Sequence, residues 1–235
     1  MEGESMKVIL DKIQYKRLNF SFKAIGEFSE GIHLITGAVG SGKSTLALLI
    51  AGYLQPESGN VRRNGIQSMQ LSLQFPEYHL TGLTVSDECI SWGCNPKSIL
   101  GLCNLMGKEN VSPFSLSRGE LKKIHLTCIL QKQYDLLLLD EPFSALDCQE
   151  KIELCTQLYG HKKGITIIFT HEQTILPKVD YIWELLDGML YFRGAPPSAI
   201  EQWQGAPSLI KKLVKSGMTP RNVSYDEIKE AVCRI

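Results

Sequence analysis

One segment constrains this 235-residue chain more than any other: Gly37-Ala38-Val39-Gly40-Ser41-Gly42-Lys43-Ser44-Thr45, with the spacing Gly-x-x-x-x-Gly-Lys-Ser. The apolar burst Ile32-His33-Leu34-Ile35 before it reads as a strand. Leu46-Ala47-Leu48-Leu49-Ile50-Ala51-Gly52 after it reads as a buried helix closed by glycine. Glycines let successive backbone N–H groups turn inward around phosphate oxygens, and the helix start adds its positive dipole end at the same spot. Lys43 supplies a mobile charge for the β- and γ-phosphates, and Ser44 a hydroxyl for Mg²⁺. A nucleoside triphosphate is the expected ligand, with residues 37–45 as its cradle.

Leu136-Leu137-Leu138-Leu139-Asp140-Glu141 supplies the other half of such a site. A buried strand would deliver Asp140 at its carboxyl end, where Mg²⁺ sits, and Glu141 is placed to polarise a water for in-line attack. Ile165–Phe169 is a second apolar run without alternation. Runs of this kind suit strands covered on both faces of a parallel sheet. Val8-Ile9-Leu10 and Phe20-Ser21-Phe22 read as further, shorter strands.

Residues 76–114 differ in character, with three cysteines and several Gly and Asn, and read as a small, mostly helical insert ending near Pro113-Phe114. Ser117-x-x-Glu120 is a capping box, and the helix it starts carries Leu121, Ile124 and Cys128 at helical spacing. Gly194-Ala195-Pro196-Pro197 reads as the end of the core, followed by a helical tail to Ile235 with its own turn at 217–222. The boundaries expected are 1–75 and 115–198 for the core, 76–114 for the insert and 199–235 for the tail.

Lys+Arg and Asp+Glu both number 25, and this neutral balance argues against a partner bound through its phosphate backbone. Seven cysteines, an odd number with no Cys-x-x-Cys pair, read as reduced thiols rather than a zinc site. No apolar run approaches the roughly 18–20 residues that cross a bilayer, and the N-terminus lacks the pattern of a signal peptide, so a cytosolic location is expected.

Taken in order, the glycine loop, Gln74, Leu116-Ser117-Arg118-Gly119-Glu120, Asp140-Glu141, Ser144-Ala145-Leu146-Asp147 and Thr170-His171 resemble the motif series of the ABC ATPase family over about residues 7–195. The resemblance implies an α/β fold: a RecA-like P-loop NTPase core with a mostly parallel sheet, an antiparallel β region, a short helical ABC insert and a C-terminal helical tail. It implies ATP and Mg²⁺ as cofactors, with two nucleotides sandwiched in a head-to-tail dimer. Glu141, His171 and Gln74 would be catalytic, His171 contacting the γ-phosphate. Ser44, Gln74 and Asp140 would hold Mg²⁺. Ser117, Arg118, Gly119 and Glu120 would complete the opposite subunit's site, Asp147 would belong to the loop crossing the dimer, and Tyr15, 22 residues before Gly37, would stack on adenine. Phe20 and Phe22 read as strand core, and His33 and His125 as structural. In the usual signature, Leu-Ser-Gly-Gly-Gln, glycine stands at position 118 and glutamine at 120. Arg118 and Glu120 therefore suggest that the site they complete is the weaker of two.

Gln74-Phe75-Pro76-Glu77-Tyr78-His79-Leu80 further resembles the Gln-Phe-Pro-Glu-x-Gln-Leu segment of energy-coupling-factor (ECF) transporter ATPases, with His79 for Gln and Thr81 where that family prefers Phe. The tail is similar too, at Ala206-Pro207-Ser208-Leu209 and Ser224-Tyr225-Asp226-Glu227. This resemblance implies an ATPase subunit of a vitamin or metal importer, peripheral on the cytoplasmic face of the membrane. Its partners would be a second ATPase subunit (homo- or heterodimer), an integral membrane coupling protein and a substrate-binding membrane protein, contacted near Phe75–Leu80, with no nucleic acid. The tail would help hold the dimer. Only 31 residues separate Lys43 from Gln74, and 43 separate Gln74 from Ser117, so the antiparallel region and the insert are both short. The alternative is a soluble ABC ATPase acting on DNA or the ribosome. Such proteins usually carry a long coiled coil or tandem ATPase domains, which this chain lacks.

Overall fold

The computed structural model describes residues 5–17, 20–160 and 163–233; the first four residues and the last two, at the ends of the expected core and tail, lie outside the described residues. Nine strands form one sheet in the order β4-β1-β2-β9-β8-β3-β7-β6-β5. Its parallel part comprises β3 (Gly31–Thr36), β5 (Met69–Ser72), β6 (Leu136–Asp140), β7 (Ile165–Thr170) and β8 (Tyr181–Leu186). The antiparallel part comprises β1 (Lys7–Arg17) against β2 (Phe20–Phe28) and β4 (Ser58–Asn64), and β9 (Met189–Gly194) against β8.

Every residue of β6 and β7 is buried. Their side chains nevertheless divide between two layers. Leu136 and Leu138 join one core with Ile35, Leu46 and Ile50, while Leu137 and Leu139 join the other with Leu34, Leu126 and Leu154. The period-2 alternation of a strand is therefore present but invisible in the sequence, because both faces are apolar. The first layer holds α1 (Lys43–Ala51) and the antiparallel strands. The second holds α4 (Arg118–Leu130) and α5 (Cys148–Gly160). Gly52 in the left-handed region ends α1, its N–H returning to Leu48 and Leu49 carbonyls. Arg63 of β4 caps the same helix end, Nε donating to Ile50 O at 2.6 Å.

The insert contains a 3-10 turn (Pro76–His79), α2 (Val85–Ser91) and α3 (Pro96–Leu102), with a small core of its own around Val85, Cys89, Ile99 and Leu100. After Pro197 come α6 (Ser198–Gln202), α7 (Ser208–Lys215) and α8 (Tyr225–Val232). These helices do not leave the core. Trp203, Ile210, Leu213, Val223 and Ile228 pack into the same layer as Leu34 and Leu137, so the core runs on past 194–197. Two polar anchors fix them there. Trp203 Nε1 donates to Thr36 Oγ1 at 2.9 Å, and the buried Glu184 carboxylate accepts from Gln204 N and Gly205 N while pairing with Arg193. No helix among the described residues is long and apolar enough to cross a membrane.

Candidate nucleotide site

The 37–45 loop leaves β3 and enters α1 at the carboxyl edge of the parallel strands. Gly42, at φ +104°, is the N-cap of α1 and brings no capping side chain, so among the described residues no side chain caps the first-turn N–H groups and they are open to an anion. A Cβ on Gly42 would lie 2.3 Å from the Phe20 ring, and one on Gly37 would lie 2.7 Å from Leu185 O. Both positions therefore require glycine. Lys43 is buried and its Nζ donates to Gly37 O at 2.9 Å and Ala38 O at 3.1 Å, which folds the loop around its ammonium group. Ser41 Oγ is buried with no partner among the described residues.

A cavity of about 380 Å³ opens over this loop, lined by Val39, Gly40, Gly42, Lys43, Ser44, Thr45, Gln74, Glu141, His171 and Phe20. Residues 100 apart in sequence thus meet because β3, β7 and β6 are neighbours in the sheet. Asp140 ends β6, buried. Its burial pushes the carboxyl above the usual range, against the Ser44 hydroxyl that donates to it. Asp140 Oδ1 has no hydrogen-bond partner among the described residues. An orphaned carboxylate oxygen beside a hydroxyl, with Gln74 at the same cavity, is a hard-oxygen donor set that fits Mg²⁺.

Glu141 sits at φ +48° and is buried. Its Oε2 accepts from Thr170 Oγ1 at 3.1 Å and from His171 N at 3.3 Å, while Oε1 lies 2.7 Å from His171 Nδ1 and 3.5 Å from Lys43 Nζ. The carboxylate is held from three sides at the cavity wall, and the His171 ring is half exposed at its mouth.

The segment 116–120 stands apart from this cavity. Ser117 caps α4, Oγ accepting from Glu120 N at 3.2 Å and Glu120 Oε2 accepting from Ser117 N at 3.0 Å. Glu120 Oε1 also accepts from Lys108 at 2.6 Å, which holds its carboxyl below the usual range. Its charge is committed to the cap and to Lys108. A Cβ on Gly119 would lie 2.6 Å from Ala145 O, so this glycine lets the 144–147 loop pack against the helix start. Asp147 is exposed on that loop and caps α5 through Glu150 N at 2.8 Å. The start of α4 and the 144–147 loop thus meet at Gly119 and Ala145, and neither segment lines the cavity.

Tyr15 is not at the cavity. It packs half-buried against Phe22, with ring centroids 6.0 Å apart, and Phe20 is the aromatic that reaches the loop. The strand pairing decides this, because β2 lies between β1 and the rest of the sheet. His33 and His125 are structural in surroundings: His33 Nδ1 accepts from Trp183 Nε1 at 3.1 Å and its Nε2 donates to Ser29 O at 2.8 Å, while the His125 ring stacks on His79. Two further residues support the site. Thr170 supports Glu141, and Lys122, buried in α4, donates to Gln74 O at 2.7 Å. Burial pulls the Lys122 ammonium down to about 8, against the nearby carboxylates of Asp140, Glu141 and Glu77. Thr170 stands beside His171 in the motif series, whereas nothing in a helical Lys-Lys pair marks Lys122.

A parallel-sheet fold with a glycine cradle, a buried Asp-Glu pair and a free helix start defines a P-loop ATPase. Comparison with known proteins narrows the class. The ABC transporter family matches residues 17–144. The energy-coupling factor transporter ATP-binding protein EcfA2 of Thermotoga maritima is 29% identical, over 85% of this chain and 86% of its own. A putative ABC transporter ATP-binding protein of Pyrococcus horikoshii is 32% identical, over 81% and 80%. The thiamine import ATP-binding protein ThiQ of Mesorhizobium japonicum is 28% identical, over 88% and 94%. A bacterial Atm1-family ABC exporter with ATP bound shares the fold at TM-score 0.68 and 19% identity. The likeness covers 80% of this chain and 38% of the exporter's. This chain belongs to the ABC transporter family: it binds ATP and is an ATPase coupled to transport.

Proposed function

We propose that this chain is the ATP-hydrolysing subunit of an ECF-like importer for a vitamin or metal micronutrient, bound peripherally to the cytoplasmic face of the membrane. The observation that carries this reading is the segment after Gln74. Gln74 lines the phosphate cavity, and the turn that follows presents Phe75 and Tyr78, 37% and 73% exposed. An apolar pair directly beside the ATP site is a surface on which a membrane-embedded coupling protein can register nucleotide state. The names of the Thermotoga and Mesorhizobium relatives support the same direction.

In this mechanism Lys43, Ser44 and the free N–H groups of α1 bind the triphosphate, and Phe20, rather than Tyr15, stacks on adenine. Ser44, Asp140 and Gln74 would hold Mg²⁺, which would neutralise phosphate charge at the site. Glu141, aimed by Thr170 and His171, takes the proton of the attacking water. The half-exposed His171 ring meets the γ-phosphate. Ser117, Arg118 and Gly119, with Asp147, serve the site of a second ATPase subunit, where the capped start of α4 offers N–H groups and a positive dipole end. Each subunit holds half of two cages, so ATP binding draws them together and hydrolysis loosens them. Residues 199–235 add contacts between the subunits.

The test is Glu141→Gln. It binds ATP, hydrolyses it at least about 100-fold more slowly, and runs as a dimer with MgATP in size-exclusion chromatography with light scattering. Wild-type turnover refutes the role of Glu141. Co-expressed with its chromosomal neighbours, the chain sediments with membranes; confinement to the soluble fraction refutes the importer reading.

A further inference from the structure

The side chains at positions 118, 122 and 125 of α4 follow i, i+4, i+7 spacing and share one face of the helix. All three meet the same short stretch of chain. Arg118 Nε lies 3.4 Å from Glu77 Oε1, and its guanidinium stands over the Phe75 ring at 5.5 Å. Lys122 Nζ donates to the backbone carbonyl of Gln74 at 2.7 Å. His125 stacks on His79, with centroids 4.5 Å apart, and His79 Nε2 accepts from Leu73 N at 3.0 Å. Residues 73–79 are thus gripped along their length by one helix stripe.

The Lys122 contact is the least expected. An ammonium that is 1% exposed loses most of its hydration, which a core methionine or leucine would avoid. Its hydrogen bond goes to the carbonyl of the one residue of the stretch that lines the phosphate cavity. Arg118 extends the grip to the exposed turn from the other end of the same stripe.

We propose that Arg118 and Lys122 form a clamp that positions Gln74 and the 75–79 turn relative to the start of α4, so that a displacement of the α4 start is passed to Gln74 within the same chain. The clamp rests on the role given above to Gln74. Lys122 is a positioning residue: its hydrogen bond goes to the carbonyl that fixes where the Gln74 side chain begins, with the carboxylates of Asp140, Glu141 and Glu77 nearby.

The experiment compares Lys122→Met and Lys122→Arg in steady-state ATPase assays on the full chain, with Glu141→Gln in parallel. Methionine keeps the length and removes the donor; arginine restores a donor. Lys122→Met lowers kcat about tenfold while KM for ATP stays within twofold, because Lys43 and the loop still bind the nucleotide, and Lys122→Arg recovers at least half of the loss. An unchanged kcat in Lys122→Met, a change in KM alone, or a loss that arginine does not recover overturns the clamp. A slow Glu141→Gln enzyme beside a fast Lys122→Met enzyme overturns the clamp and leaves the proposed function standing. Should Lys122→Met fail to accumulate, Glu77→Gln decides: this change at a half-buried carboxylate lowers kcat at least twofold at constant KM, and wild-type kcat overturns the clamp.

Discussion

The imidazole of His33 gives the most quantitative prediction. Trp183 Nε1 can only donate, so His33 Nδ1 must accept, and the proton therefore sits on Nε2, where it is given to Ser29 O. A second proton would face the indole N–H in a site that is 1% exposed. Burial accordingly pulls the imidazole from 6.5 to about 4, against the opposing effects of Ser29 and Asp180. A base whose folded value is depressed contributes stability that is fully present above 6.5 and is lost as the pH falls towards 4. The gap corresponds to about 3 kcal/mol at and below pH 4. Between pH 7.5 and 5.5 it amounts to about 1.3 kcal/mol, since the unfolded imidazole charges over that interval and the folded one does not. The perturbation is His33→Gln, whose amide can accept from Trp183 and donate to Ser29. Urea unfolding followed by tryptophan fluorescence at the two pH values gives the loss for each protein. Wild type loses about 1.3 kcal/mol more than the variant, whatever the variant's stability at pH 7.5, because His79 and His125 titrate in both. Equal losses in the two proteins refute the reasoning.

Phe20→Ala weakens binding of a fluorescent ATP analogue at least about fivefold, as expected for the loss of base–aromatic stacking, whereas Tyr15→Ala changes it less than twofold; the reverse order would return the adenine contact to Tyr15. Trp203→Phe removes the indole N–H given to Thr36 and costs about 1 kcal/mol of unfolding free energy. Unchanged denaturant midpoints would show that this tail contact contributes nothing.

The chemistry of the site was legible wherever it is written in consecutive residues. The glycine cradle, the Ser117-x-x-Glu120 cap and the apolar run ending in Asp140-Glu141 each carry their own geometry, because glycine torsions, helix capping and strand burial depend on neighbours within a few positions. What depended on sheet order was not legible. Tyr15 and Phe20 are both aromatic and both precede the loop, and only the pairing of β2 next to β9 decides which ring lies beside Gly42. The tail read as a segment beyond the core, yet Trp203 reaches Thr36 across 167 positions and its neighbours fill the layer beneath the sheet. Lys122 carries no local sign at all; its burial against Gln74 O follows from how α4 lies on the 73–79 stretch. Local backbone preferences determine the motifs. The packing of distant strands and helices, which no short window of sequence encodes, determines which side chains those motifs meet.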